Sequence, residues 1–147
     1  MQRMRYIDLI QLYFERSSAL QWYWTLYVVV IGGLLAFSSI RQRTDTTTTI
    51  LVTVLYIFFA YKNLGAIQDV TLERLAVLST LKEYSATGAD AAEVKQLRES
   101  LEPILAPTGP DSVRNFHIAT DLLTIAAVWA MEWRRRKAGP APKPHSN

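Results

Sequence analysis

"FHIATDLLTIAAVWAMEWRRRK", residues 116–137, has the look of a membrane helix closed by a basic stop. Only ten uncharged residues separate Asp121 from Glu132, a run more typical of a buried core helix than of a span. An aspartate near the centre of an inserted helix costs roughly 2.5–3.5 kcal/mol. The segment therefore decides how many times the chain crosses a membrane, and on which side its second half lies.

Upstream the pattern is plainer. Residues 17–40 are 24 in a row without charge, and residues 46–61 are 16 more. Trp22–Ile40 is long enough to span, with Trp22, Tyr23 and Trp24 as an aromatic anchor and Arg41 at the far end. The turn "RQRTD" at 41–45 is short, so a second span over about 46–64 must run antiparallel to the first, over about 21–40. Residues 21–65 thus read as a transmembrane hairpin. Lys62 reaches the headgroups along its aliphatic stem.

Each hairpin helix carries a stripe of small or weakly polar residues. In the first these are Thr25, Val29, Gly32, Ala36 and Ser39; in the second, Thr46, Thr49, Thr53, Tyr56, Ala60 and Asn63. Such residues let backbones approach and hydrogen-bond where lipid supplies no hydrophobic drive. Gly32, Ala36, Thr49, Thr53 and Tyr56 are the candidate packing or pore residues, with Gly32 expected near Tyr56 or Thr53 when the hairpin closes. A pore lining in an oligomer is the sharper alternative. The second stripe continues through Ile67, Val70, Arg74, Val77, Leu81 and Tyr84 with no proline, which predicts one helix from Thr46 to about Ser85.

Residues 1–20 form an amphipathic stretch, with Tyr6, Leu9, Ile10, Tyr13 and Phe14 on one face. Beside two spans it reads as an interfacial helix lying along the headgroups; packing on the protein's own bundle is the plainer option. Residues 66–137 make a helical region. It includes a helix over 91–105 that carries Val94, Leu97, Leu101 and Ile104 on one side, with Gly88 and Asp90 as caps before it. Asp111 is placed to cap a third apolar helix at 112–136, either bundle core or third span. The proline-rich tail at 138–147 reads as disordered. The fold class is an all-α membrane protein: a two-span hairpin with a long second helix, plus extramembrane helices.

Counting basic residues separates the two topologies. Two spans with the N-terminus inside put 14 of the 16 lysines and arginines on the cytoplasmic side; a third span divides them 9 and 7. The positive-inside rule thus favours two spans and a cytoplasmic N-terminus, in a multi-pass protein of a bacterial cytoplasmic membrane.

Little in the chain carries chemistry. There is no cysteine, and no phosphate loop, zinc-ligand spacing or nucleophile elbow. No catalytic, cofactor or metal site is expected, and the protein is not read as an enzyme. His117 and Asp121 stand at i and i+4, and Thr124 continues their face. They read as a buried polar pair, since two ligands do not make a metal site. The net charge of +3 shows no nucleic-acid footprint, whereas the basic run 134–137 suits acidic lipid headgroups. The expected function is that of a small integral membrane protein acting by association: a scaffold, accessory subunit or homo-oligomer. Its partners are the bilayer and another membrane protein or a second copy. The alternative is an oligomeric pore, because the layout alone resembles small bacterial effectors that open membranes.

Overall fold

The computed structural model describes residues 5–85, 91–101, 105 and 109–138. Among these are four helices and no strand: α1 (Tyr6–Ile40), α2 (Thr46–Glu83), α3 (Ala91–Leu101) and α4 (Pro110–Ala138). The expected caps Gly88 and Asp90, Ile104 of the third helix's apolar face, and the tail beyond Ala138 lie outside the described residues. The chain divides into two compact units. The first comprises residues 1–24 and 65–115, the second residues 25–64 and 116–147.

Helix α2 runs unbroken for 38 residues, as the continuous stripe predicted, and Gly65 does not interrupt it. Asp45 begins it. Its carboxylate accepts the Thr48 backbone N–H at 3.1 Å, and its carbonyl accepts the Thr49 N–H at 3.1 Å. Hydrogen bonds from the Thr48 side chain and backbone hold the Asp45 carboxyl below its ordinary pKa. The other end of α2 is closed from α3: Arg98 Nη2 donates to the carbonyls of Leu81 at 3.2 Å and Tyr84 at 2.8 Å. A guanidinium there satisfies orphan carbonyls and suits the negative end of the helix dipole.

The first unit is built like a water-soluble bundle. Tyr6, Leu9 and Tyr13 of α1 bury against Leu78 and Leu81 of α2, Val94 of α3, and Leu105. The Tyr6 and Tyr84 rings lie 5.4 Å apart. Arg74 lies over the Tyr13 ring at 5.4 Å, and Arg16 pairs with Glu73 at 3.0 Å. Of the stretch read as an interfacial helix, residues 6–20 form the start of α1, continuous with the span, and Tyr6, Leu9 and Tyr13 pack into this core. Phe14 and Ile7 alone of that stretch's large apolar side chains stay exposed among the described residues.

The second unit contains the rest of α1, the start of α2, and α4. Helix α4 runs antiparallel to the α2 segment along its length. His117 meets Asn63 near one end, Asp121 meets Tyr56 between, and Arg136 bonds Thr46 at the other. Helix α4 begins at Pro110, with Val113 N–H bonded back to the Gly109 carbonyl. Asp111 therefore lies inside the first turn, paired with Arg114 at 3.2 Å, one residue past the start and not at the cap position expected for it.

Candidate functional site

Three helices of the second unit converge on one carboxylate. Asp121 of α4 accepts from Tyr27 of α1 at 2.8 Å and from Tyr56 of α2 at 2.7 Å, both on Oδ1. His117 Nδ1 lies 2.8 Å from its Oδ2. The other ring nitrogen, Nε2, faces Asn63 Nδ2 at 3.2 Å. An amide nitrogen can only donate, so Nε2 accepts and the ring proton sits on Nδ1, aimed at the carboxylate. The Tyr27 and His117 rings stack at 4.0 Å between centroids, tilted by 33°. His117 is fully buried, while Asp121 keeps a small exposed edge.

Three donors meet the carboxyl oxygens of Asp121, so the polar group that made residues 116–137 look unfit to span is paired inside the bundle. Spacing places these groups on one face. His117, Asp121, Thr124, Val128 and Glu132 follow one another at steps of four, three, four and four along α4, and all but the half-buried Asp121 are buried. At the far end of this face Glu132 pairs with Arg135 at 2.9 Å.

The residues expected to pack the hairpin divide. Thr49 and Tyr56 are buried and Thr53 is half-buried, as their shared stripe implied. Their polar groups are used within the chain. The Thr49 hydroxyl donates to the Asp45 carbonyl at 3.0 Å and accepts from Arg41 at 3.1 Å. The Thr53 hydroxyl donates to the Thr49 carbonyl at 2.7 Å, and Tyr56 serves Asp121. Gly32 and Ala36 are exposed, and a Cβ added at Gly32 would meet nothing within 4 Å. The small-residue stripe of α1 is thus turned away from α2. Helix α1 instead buries Tyr27 and Ser38, because the Tyr27 hydroxyl must reach a partner and fixes the rotation of the helix. Gly32→Leu is therefore expected to leave the melting temperature of the monomer in detergent within a degree or two of wild type. A large drop would show that the glycine face is in contact after all.

Tyr27 and Asn63 complete the cluster, and neither stood out as a site residue. Asn63 lay on the α2 stripe, and Tyr27 lay inside an apolar run. The usable signal was the tyrosine itself, since a hydroxyl inside a long apolar run needs a partner. Among the described residues no group of three or more histidines or acids is placed to hold a metal ion.

The molecule is therefore an all-helical bundle in which two helices, α1 and α2, are long and apolar enough to cross a membrane. Little of their most apolar stretches is buried, 11% in α1 and 22% in α2, which is unlike the core helices of soluble proteins. No protein family, curated protein or solved structure matches the chain.

Proposed function

We propose that the second unit sits in a bilayer as three spans, and that the protein acts there by association, as a scaffold, an accessory subunit or a homo-oligomer. The observation that carries this reading is the inverted polarity of the second unit. It buries Ser38, Thr49, Asn63, His117, Thr124 and Glu132, and it exposes Val28, Leu51, Phe58, Phe116, Leu122 and Leu123. In water both choices cost free energy. In lipid both are favourable, because apolar side chains meet acyl chains and polar groups find one another inside. The first unit, with its apolar core, has the ordinary polarity.

Helix α4 belongs with the spans because it lies beside α2 from Asn63 to Thr46. If that part of α2 is at bilayer depth, so is residue 117 through residue 136. Composition alone marks only α1 and α2. It averages in His117, Asp121 and Glu132, which would never meet lipid. We read three spans where charge counting expected two. The cytoplasmic N-terminus rested on the two-span count and does not carry over to a division of 9 against 7.

Association is favoured over a pore because the threonine stripe that would line one is engaged within the chain. Gly32 and Ala36 are exposed on α1 and offer small side chains to another helix. Membranes washed with alkaline carbonate should retain the protein, and cysteines placed at Gly32 or Ala36 should crosslink to a second copy or a neighbour. Recovery in the wash without detergent would overturn the membrane reading. Ion flux from liposomes holding the pure protein would favour the pore.

A further inference from the structure

We infer that the end of the second unit nearest the 41–45 turn holds the phosphodiester headgroup of an anionic phospholipid. This rests on the membrane reading above. A cavity of about 450 Å³ opens there between the ends of α1 and α4, lined by Ser39, Arg41, Met131, Arg134, Arg135 and Ala138. Three arginines, one in the turn after α1 and two on α4, line one space. A basic run on a solvated helix would instead fan its charges outward.

The three arginines are held differently. Arg41 is anchored: Nη1 donates to Thr49 Oγ1 at 3.1 Å and Nη2 to the Asp45 carbonyl at 2.9 Å, with the Asp45 carboxylate 4.0 Å away. Arg135 gives Nη1 to Glu132 at 2.9 Å, but its Nη2 is buried without a hydrogen-bond partner. A buried donor left unmade costs free energy, so Arg135 is not fully satisfied by the chain's own groups. Arg134 is exposed and forms no ion pair among the described residues. Guanidinium groups recognise phosphate oxygens through paired N–H donors.

The setting selects a lipid over a soluble phosphate. Met131 and Ala138 give the cavity an apolar side. Arg41 lies 5.6 Å over the ring of Phe37, which is itself exposed, as is Ile40 next to the turn. Exposed Trp133 stands at the same end of α4, with Lys137 over its ring at 3.8 Å. Aromatic rings and cations at a helix end mark headgroup depth. A headgroup in the cavity would leave its acyl chains over Phe37 and Ile40. Basic pockets between spanning helices bind anionic headgroups in this manner.

The test is native mass spectrometry and thermal melting of the full chain in detergent, titrated with phosphatidylglycerol, phosphatidylcholine, sn-glycerol 3-phosphate and inorganic phosphate. One phosphatidylglycerol should stay bound and raise the melting temperature, and phosphatidylcholine should not. Arg134→Gln removes a charge without orphaning a buried partner and should weaken phosphatidylglycerol binding about tenfold. Arg43→Gln changes the net charge equally but lies outside the cavity, and should bind as wild type does. Equal weakening in both variants would overturn the site in favour of diffuse attraction, and an equal response to the soluble phosphates would overturn the lipid. A folded wild type in detergent that ignores phosphatidylglycerol would sink this proposal while leaving the membrane reading intact. Recovery without detergent would sink that reading first.

Discussion

Asp121→Leu is expected to lower the stability of the second unit by about 2–5 kcal/mol, read as a large fall in melting temperature in detergent. The change is apolar, in a helix argued to lie in lipid, so hydropathy alone predicts the opposite. The geometry decides the sign. Asp121 accepts from Tyr27, Tyr56 and His117, and leucine leaves all three donors without their acceptor. Hydrogen bonds between membrane helices average about 0.6 kcal/mol and reach about 1.7, so the two from Tyr27 and Tyr56 supply up to about 3 kcal/mol, and the buried donors left unpaired supply the rest. Asp121→Asn keeps an acceptor oxygen and should fall between. Leu123→Ala, at a side chain 71% exposed, is the control and should change little. If Asp121→Leu melted with Leu123→Ala, the cluster would not hold α4 in place.

Single cysteines at Gln42 and Ala138 are expected to label from one face of the membrane, and a cysteine at Ala92 from the other. The protein has no cysteine of its own, so each label reports one position. Gln42 lies in the turn after α1. Ala138 ends α4, whose Arg136 bonds Thr46 at the start of α2. These contacts place both at the same end of the second unit. Ala92 follows α2 in the chain and precedes α4, so on the three-span reading it lies across the membrane from both. The effect is all-or-none, since a membrane-impermeant reagent reaches a site or does not. Ala92 and Ala138 reacting from the same face, opposite Gln42, would restore the two-span topology.

Much of the fold could be read from periodicity. The α2 stripe kept its phase past Asn63, so one long helix was visible in the residues. The face of Tyr6, Leu9 and Tyr13 was equally visible. Its partner was not, because an amphipathic face looks the same whether it meets lipid or Leu78 and Leu81. The pairing of His117 with Asp121 followed from i, i+4 spacing, which fixes neighbours along a helix. Tyr27 and Tyr56 reach the same carboxylate across 94 and 65 residues of chain, and no local pattern encodes such a distance. The direction faced by Gly32 and Ala36 failed for a related reason. Small residues permit close packing without requiring it, while the tyrosine hydroxyl requires a partner and so set the rotation of α1.

Helix α4 has a further consequence for how the protein is made. Its inward face carries His117, Asp121, Thr124 and Glu132, so on leaving the ribosome it is a poor candidate for release into lipid. The partners that satisfy it, Tyr27, Tyr56 and Asn63, are synthesised earlier, on the hairpin. On the three-span reading proposed above, biosynthesis is ordered: the hairpin settles first and acts as the template on which the last helix is accepted.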